Sequence, residues 1–262
     1  MTNRPPARLS FVMTMLVCLI LTACSTGGGT KDPTPTPEPT ATAPLAPGQK
    51  TVGELLDGIR TSFEGVSSVQ TTFSTTTIVD GTPSISGAVT TEQYIAPDRR
   101  RIVISSGGQE VDEQIAIGNR IFMRGVFVQS AVAPMLGTDT WVTLDPSLVP
   151  GDTPVGNLVS YLTSPYSLVI FDVSDSLRAR GVNQLGPRDV NGRTCMAWAF
   201  VDTTSFGDRL DYELTIDDTG LPCTFVERAG GVENSTTFEF NVPGLDIIAP
   251  DSAREVSGTP EG

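Results

Sequence analysis

The sequence predicts an α+β fold in which one long antiparallel β-sheet curls and carries helices on its concave face. Two groups of short segments alternate apolar and polar residues with the period of a β-strand, and turn residues separate the segments. Two further segments, residues 51–66 and 153–177, space their apolar residues as amphipathic helices do. A single antiparallel sheet with this many strands must curl, so the helices fit on the concave side, over its apolar face.

The first helix is predicted over residues 51–66. Thr51 precedes Glu54 by three residues, which is the spacing of a capping box at a helix start. The apolar residues that form one stripe of this helix are Val52, Leu55, Leu56, Ile59 and Phe63.

The first group of strands follows this helix directly. A strand over residues 69–77 ends at the turn signal Asp80-Gly81, and Gly107-Gly108 and Gly118-Asn119 mark later hairpins. The other strands predicted in this group cover residues 86–95, 99–105, 109–117, 120–128 and 141–144.

Two helical segments separate the first group of strands from the second. They are predicted over residues 153–162 and 166–177, with Pro165 between them. Four strands then follow, over residues 194–201, 209–216, 223–228 and 234–240. In the second of these, every other residue is apolar, which predicts a sheet with one apolar face and one face in water.

The N-terminus has the features of an export signal. Residues 1–10 carry two arginines and no acid, and the apolar run over residues 11–21 is only about 16 Å long as a helix, roughly half a bilayer core. The sequence LTAC at residues 21–24 resembles the lipobox of bacterial lipoproteins. That resemblance implies a signal peptide over residues 1–23 and a diacylglycerol on Cys24, with an acylated amine. The alternative is an ordinary secreted protein with a chance cysteine.

A tether is predicted over residues 24–50. Residues 25–50 contain six Pro, six Thr and four Gly, so they have almost nothing to bury and stay disordered. The folded domain is then expected over residues 51–250. The small polar residues 251–262 are expected to form a disordered tail.

Charge and composition exclude several functions. The chain carries a net charge of −13, and removing the two leader arginines leaves 15 basic and 30 acidic residues. Such a protein repels phosphate backbones and anionic headgroups, so nucleic acid is excluded as a partner and membrane attachment must be covalent. The absence of histidine removes His-dependent catalysis and His-containing metal sites. Nothing in the sequence indicates an enzyme, a cofactor or a metal site.

Cys195 and Cys223 remain after the leader and the anchor are accounted for. Export and their even number favour a disulfide. In a simple meander, however, their strands flank a third strand and lie about 9.6 Å apart, which is too far for the bond unless the sheet bends or the middle strand stops. The sequence leaves both outcomes open.

Five stretches, in order along about 200 residues, resemble the successive strands of the LolA-like superfamily, in particular its LppX/LprG type of lipoprotein. The stretches are YIAPDRRRIVI, DEQIAIGNRIFMRG, DVNGRTCMAWAF, LDYELTIDDTGLPCTFVE and FEFNVPGLDIIAPD. The resemblance implies an open half β-barrel with helices as a lid over the concave face. It also implies an apolar cavity for acyl chains of lipids or lipoproteins, although relatives of the same fold sense envelope stress by binding a protein.

The candidate ligand cavity is defined by apolar residues of these strands, which serve equally well as an ordinary core. Its predicted members are Phe122, Trp141, Met196, Trp198, Leu210, Tyr212, Leu214, Ile216, Phe238 and Phe240. The part of this surface on the last strands is expected to lie under the helices of residues 153–177. Asp98 with Arg99, Arg100 and Arg101 forms either a headgroup clamp at the cavity mouth or, as the favoured interpretation, a solvated strand edge.

Three functions remain compatible with the sequence. The first is an extracytoplasmic lipoprotein, anchored on the outer face of the cell membrane or on an outer membrane, that carries a lipid or another hydrophobic ligand. The second is a protein-interaction or stress-sensing module on the same fold, and the third is a cell-wall spacer. A carrier needs an apolar cavity of at least several hundred cubic ångströms, whereas a spacer needs a filled core.

Overall fold

The computed structural model describes residues 49–79, 82–85, 87–171, 173–204 and 207–256. The predicted signal peptide, the lipidation site Cys24 and nearly all of the tether lie outside these residues. The described helices are α1 (Val52–Phe63), α2 (Val126–Ala131), α3 (Pro154–Thr163) and α4 (Asp175–Arg178), and two 3-10 turns cover Pro146–Leu148 and Val169–Phe171. None of the helices in this part of the chain has the length and apolarity needed to cross a bilayer.

The strands form two meanders. The first group comprises β1 (Ser68–Val79), β2 (Thr82–Ile85), β3 (Ala88–Ile95), β4 (Arg99–Ser106), β5 (Gln109–Ile117), β6 (Arg120–Gly125) and β7 (Val142–Leu144). The second group comprises β8 (Asn183–Val190), β9 (Arg193–Thr203), β10 (Arg209–Ile216), β11 (Pro222–Ala229) and β12 (Val232–Phe240), followed by β13 (Arg254–Glu255).

All of these strands belong to one open sheet. Among the described residues its order is β13-β7-β6-β5-β4-β3-β1-β12-β11-β10-β9-β8, with β2 attached to β1. Every pair is antiparallel except β13 with β7. The two meanders meet where β1 pairs with β12, from Val69 opposite Phe240 to Thr77 opposite Val232. The predicted fold class, a curved antiparallel half-barrel with helices over its concave face, is confirmed.

Helix α1 begins as the sequence predicts. The Thr51 side chain accepts a hydrogen bond from the Glu54 backbone, and the Glu54 carboxylate accepts one from the Thr51 backbone. This capping box provides side-chain acceptors for two backbone N–H groups at the helix start that have no partner within the helix. The buried stripe of α1 then packs on the second meander, against Leu214 and Phe238.

Two apolar clusters lie on the helix-covered face. In the first, α1 and the side chains of Leu168, Ile170 and Leu177 cover β9, β10, β12 and the start of β1. In the second, α3 covers β4 to β7, and Leu158 and Leu162 pack with Ile121 and Met123. The helices of residues 153–177 are therefore divided between the two halves of the sheet.

A third, smaller cluster lies on the opposite face. Phe122 and Ile115 are buried there under Ile247, which belongs to the segment after β12. This segment continues to β13, where Arg254 and Glu255 pair with Val142 and Thr143. The expected disordered tail is thus corrected for residues 251–256, because backbone pairing with β7 orders them.

Two predicted elements differ from the structure, and one eight-residue strand was not predicted. The strand predicted over residues 120–128 ends at Gly125, whose φ of 117° suits only glycine and where a Cβ would collide with the Val111 carbonyl. Helix α2 follows it. The helix predicted over residues 166–177 consists of a 3-10 turn and the short α4. Strand β8 was not predicted, because NQLGPRDV lacks alternation and contains Gly and Pro.

The disulfide between Cys195 and Cys223 is present, with a Cα–Cα distance of 6.6 Å. Its strands β9 and β11 do flank β10. Strand β10 ends at Ile216, however, and its register with β11 shifts at Ile216. The two cysteines therefore meet at the end of the middle strand, which is the geometry that the sequence left open.

Candidate ligand site on the concave face

The strand register brings a band of aromatic side chains together on the concave face of the second meander. Trp198 lies opposite Leu214, which lies opposite Phe225, and Phe200 lies opposite Tyr212. The rings of Phe200 and Tyr212 stack with centroids 5.1 Å apart, and those of Tyr212 and Phe225 stack at 5.7 Å. We define the aromatic strip as Trp198, Phe200, Tyr212, Phe225, Phe238 and Phe240.

Burial of this surface changes along the strip. Leu214 and Phe238 have no exposed surface, because α1 lies directly over them. Trp198, Tyr212 and Phe225 pack against the same cluster but remain partly exposed. The strip therefore continues from a sealed core into a surface that solvent reaches.

Six of the ten predicted cavity residues belong to or pack against this cluster. They are Trp198, Tyr212, Leu214, Ile216, Phe238 and Phe240. Met196 and Leu210 share the face by register and are partly buried, without belonging to the cluster. Phe122 and Trp141 are corrected, because they lie in the cluster on the opposite face with Ile247.

Phe200 and Phe225 were missed by the sequence prediction of the cavity. Phe200 follows Trp198 by two residues, so the alternation that selected Trp198 also places Phe200 on the same face. Phe225 lies on the strand predicted at residues 223–228 and faces Leu214. The two-residue alternation of β-strands would therefore have identified both Phe200 and Phe225.

A chain of polar groups borders the strip. Tyr212 and Glu227 form a side-chain hydrogen bond. The Asn234 amide donates to the Glu227 carboxylate at 3.3 Å, and the Thr75 hydroxyl donates to Asn234 at 3.0 Å. Burial and the negative charge of Glu227 raise the pKa of the Tyr212 hydroxyl above its ordinary value, so Tyr212 stays a neutral donor. We call Thr75, Tyr212, Glu227 and Asn234 the polar rim.

The arginine cluster predicted on β4 divides between the two faces of the sheet. Arg101 pairs with Glu113 at 2.7 Å, and the Arg99 guanidinium donates to the Ile247 carbonyl. Arg100 is buried on the concave face, and its guanidinium donates to the carbonyl oxygens of Tyr161 and Ser164 at the end of α3. The favoured interpretation of a solvated strand edge is therefore wrong for Arg100, because β4 is an interior strand.

Glu92 completes this buried group. Its carboxylate lies 3.4 Å from the Arg100 guanidinium and accepts a hydrogen bond of 2.9 Å from the Tyr161 hydroxyl. Burial raises the pKa of Glu92 above its ordinary value, although the charge of Arg100 opposes that shift. The group ties the end of α3 to the middle of the sheet.

The described residues form no metal site, because no three carboxylates or cysteines among them come together. An open groove of about 420 Å³ lies beside β7 and β13, away from the aromatic strip. Its lining residues are Asp139, Thr140, Trp141, Ser252, Ala253 and Arg254.

Comparisons with known proteins find similarity in solved structures alone. No family model matches the chain, and no curated protein matches it. The lipoprotein LppX of Mycobacterium tuberculosis is 13% identical, with 75% of this chain and 98% of that chain covered and a TM-score of 0.45. LprF of Mycobacterium bovis is 11% identical, with 78% and 99% covered and a TM-score of 0.43.

A LolA superfamily protein of Nitrosomonas europaea is 8% identical, with 75% of this chain and 95% of that chain covered and a TM-score of 0.29. LppX and the LolA superfamily are the groups that the sequence motifs resemble. Because all three TM-scores lie below 0.5, the function of this chain has to follow from its own geometry.

Proposed function

We propose that this chain is a membrane-anchored extracytoplasmic lipoprotein that binds a lipid or another hydrophobic ligand. The observation that carries the proposal is the aromatic strip, which begins in a sealed core and ends partly exposed beside the polar rim. An acyl chain lies against the strip, and its polar end lies at the rim. This division of apolar lining and few polar groups is typical of ligand sites.

The segment that covers the aromatic strip, residues 166–177, is held in a way that allows a ligand to enter. Residues 166–177 contribute Leu168, Ile170 and Leu177 to the cluster, and their described backbone belongs to no strand of the sheet. Side-chain packing rather than a hydrogen-bonded ladder therefore holds the cover in place. An entering acyl chain replaces these three side chains and gains about 0.8 kcal/mol for each CH₂ group that it buries.

The polar rim supports recognition of a headgroup. Glu227 and Asn234 present a carboxylate and an amide, and Tyr212 presents a neutral hydroxyl. These groups hydrogen-bond to one another in the closed protein, so a headgroup exchanges one set of hydrogen bonds for another. A hydroxyl- or amide-bearing headgroup suits the rim, since a carboxylate repels a free anion.

Anchoring follows from the N-terminal sequence. A diacylglycerol on Cys24 holds the chain on the outer face of the membrane, and two or three acyl chains suffice for durable attachment. The tether of residues 24–50 keeps the domain free to move above that surface.

A second candidate function is a protein-interaction or stress-sensing module. One observation favours it. Leu56, Ile59 and Phe238 are among the largest fully buried side chains, so the core beneath α1 is filled in this closed form. A carrier must open this core, whereas an interaction module leaves it closed.

The experiment that tests the proposal combines lipid extraction with an acyl probe. The purified protein is extracted with organic solvent for mass spectrometry, and binding of a fluorescent fatty acid is titrated. Phe225→Ser removes one ring of the strip and should weaken probe binding. Val226→Ser is the matched control, because adjacent residues of β11 point to opposite faces of the sheet.

Circular dichroism must show that both variants fold. Equal probe affinity for the two variants contradicts the placement of the ligand on the strip. If the wild-type protein carries no extractable lipid and binds no acyl probe at micromolar concentration, the carrier function falls and the interaction module replaces it.

A further inference from the structure

The segment after β6 forms an uncharged and partly exposed loop. Residues 126–138, VFVQSAVAPMLGT, contain no charged side chain, although charged residues make up 18% of the whole sequence. Two of its apolar side chains are exposed, with Val126 at 52% and Met135 at 95%. An exposed apolar loop of this kind is a candidate contact with another molecule or with a membrane. We call residues 126–138 the uncharged loop.

The loop is built into the fold and presents Met135 at its tip. Val128 is buried in the cluster under α3, and Phe127, Val132 and Leu136 pack against it. The Ala133 backbone donates to the Val128 carbonyl at 2.8 Å, and the Leu136 backbone donates to the Ala133 carbonyl at 3.0 Å. Because both sides of Met135 are fixed in this way, its exposure is a property of the folded loop.

Trp141 and Arg254, which lie together beside β7, are residue types that suit the boundary between lipid and water. Trp141 lines the open groove beside β7, and its ring is partly exposed. The Arg254 guanidinium lines the same groove and makes no ion pair with any residue in the described ranges. Tryptophan concentrates at membrane interfaces, and arginine binds phosphate oxygens.

We propose that the uncharged loop contacts the lipid bilayer on which the chain is anchored, with Met135 in the interface and Arg254 near lipid phosphates. This inference rests on the proposed lipid anchor at Cys24. Residues 24–48 precede the described domain, and a Pro-rich chain of this length reaches up to roughly 80 Å when extended at about 3.1 Å per residue. The bilayer is therefore always within reach, and even weak apolar contact is favoured by the high local concentration.

The charge distribution of the chain favours contact with a zwitterionic bilayer over an anionic one. The 30 acidic residues of the chain are repelled by anionic lipids, but the uncharged loop can approach a zwitterionic surface without that cost. Contact through Met135 is apolar, so added salt should not weaken it. A preference for zwitterionic lipid and insensitivity to salt therefore distinguish this contact from binding through a patch of basic residues, which needs anionic lipid and weakens in salt.

The test measures how close the loop lies to lipid. The mature chain is coupled through the Cys24 thiol to maleimide-bearing lipid in phosphatidylcholine vesicles, which makes the test independent of lipidation in cells. Cys195 and Cys223 do not compete, because they are bonded and buried. Met135→Trp places a fluorophore at the tip, and Leu185→Trp, at an exposed position on the edge strand β8, is the matched control.

In vesicles with brominated acyl chains, the signal of Trp141 and Trp198 in the wild type is subtracted from that of each variant. We then expect a blue shift and strong quenching for the tryptophan of Met135→Trp and neither change for that of Leu185→Trp. A Met135→Glu variant in a chain that retains its native tryptophans should lose any quenching of Trp141. Vesicles with added anionic lipid should reduce the quenching of Met135→Trp.

Equal quenching of Met135→Trp and Leu185→Trp, or no quenching of either, overturns the proposal and leaves the loop as a surface for a protein partner. The acyl-probe titration is run on the same variants. Normal probe binding without quenching rejects bilayer contact while the proposed ligand function stands. Quenching without probe binding rejects the ligand function while bilayer contact stands.

Discussion

Arg100 connects three elements of the fold, namely β3, β4 and the end of α3. Its guanidinium bonds two carbonyls at the end of α3 and faces the Glu92 carboxylate, all within a buried site between the two apolar clusters. The sequence singles out this arginine only as one of three in a row. It cannot tell which of them points inward, because that depends on the register of β4 between β3 and β5.

Replacing Arg100 should therefore destabilise the domain strongly. Arg100→Met removes the partner of a buried carboxylate and leaves two carbonyls at the end of α3 without a donor, and we expect a loss of roughly 3–5 kcal/mol. Urea unfolding followed by circular dichroism measures it. Arg209→Met, which breaks an exposed pair with Asp211, is the control and should leave the midpoint unchanged. A midpoint for Arg100→Met equal to that of the control would exclude a structural role for Arg100.

Glu92 should make stability depend on pH. Its pKa is raised in the folded protein above the ordinary value of 4.5, so the folded state holds a proton that the unfolded state has released. The free energy of unfolding therefore falls as pH rises from 4.5 through the folded pKa, and this contribution is constant below 4.5. Subtracting the unfolding free energy of Glu92→Gln from that of the wild type isolates the effect. A difference that stays constant from about pH 4 to 8 would contradict the raised pKa.

The elements differ in how clearly the sequence predicts them. Strand β10 alternates apolar and polar residues, β1 places Val69, Thr71 and Phe73 at the two-residue strand period, and α1 carries both a cap and an apolar stripe. All three elements are therefore predicted correctly. Strand β8 lies at the sheet edge with few buried side chains, so nothing selects for alternation there. Residues 166–177 have apolar residues at helical spacing, but their side chains pack on the cluster formed by α1 and the sheet. This tertiary packing, and not the local spacing, determines their secondary structure.

The disulfide between β9 and β11 should stabilise the second meander. It closes a loop with a sequence separation of 28 residues, for which the chain-entropy model gives about 3–4 kcal/mol. The double variant Cys195→Ala/Cys223→Ala should lose about that amount in urea unfolding. Reducing the wild type should give the same loss. If reduction leaves the midpoint where it was, the bond contributes nothing to the stability of the folded domain.

At the scale of the whole molecule, six of the ten predicted cavity residues lie in or against the apolar cluster under α1. Alternation selects Leu214, Phe238 and their neighbours correctly, because the strand period alone decides which face they share. Phe122 and Trp141 are assigned to the wrong face, since no local pattern tells which side of the first meander receives α3 and which receives the segment after β12. The polar rim escapes prediction because Thr75 and Glu227 come from strands far apart in sequence.

The last prediction concerns the attachment of the chain to the membrane through a lipid on Cys24. Cys24→Ser removes the sulfur that the lipobox resemblance assigns to lipidation, so the variant should accumulate as uncut precursor or as soluble protein. Triton X-114 partition and the mass of the N-terminal peptide measure this outcome. Wild-type and variant protein of identical N-terminal mass, both in the detergent phase, would contradict it.

The pairing of β1 with β12 sets the order in which the domain can fold. The Gln70 side chain donates to Glu239, 169 residues later, so the centre of the sheet closes only when nearly the whole chain is available. Contacts of such separation form slowly, and until then β1 offers an unpaired edge to other chains. For the exported protein that we propose, this delay is an advantage, because the early strands would stay unfolded while the chain passes through an export channel from its N-terminus. The domain would then fold outside, once its last long strand had arrived.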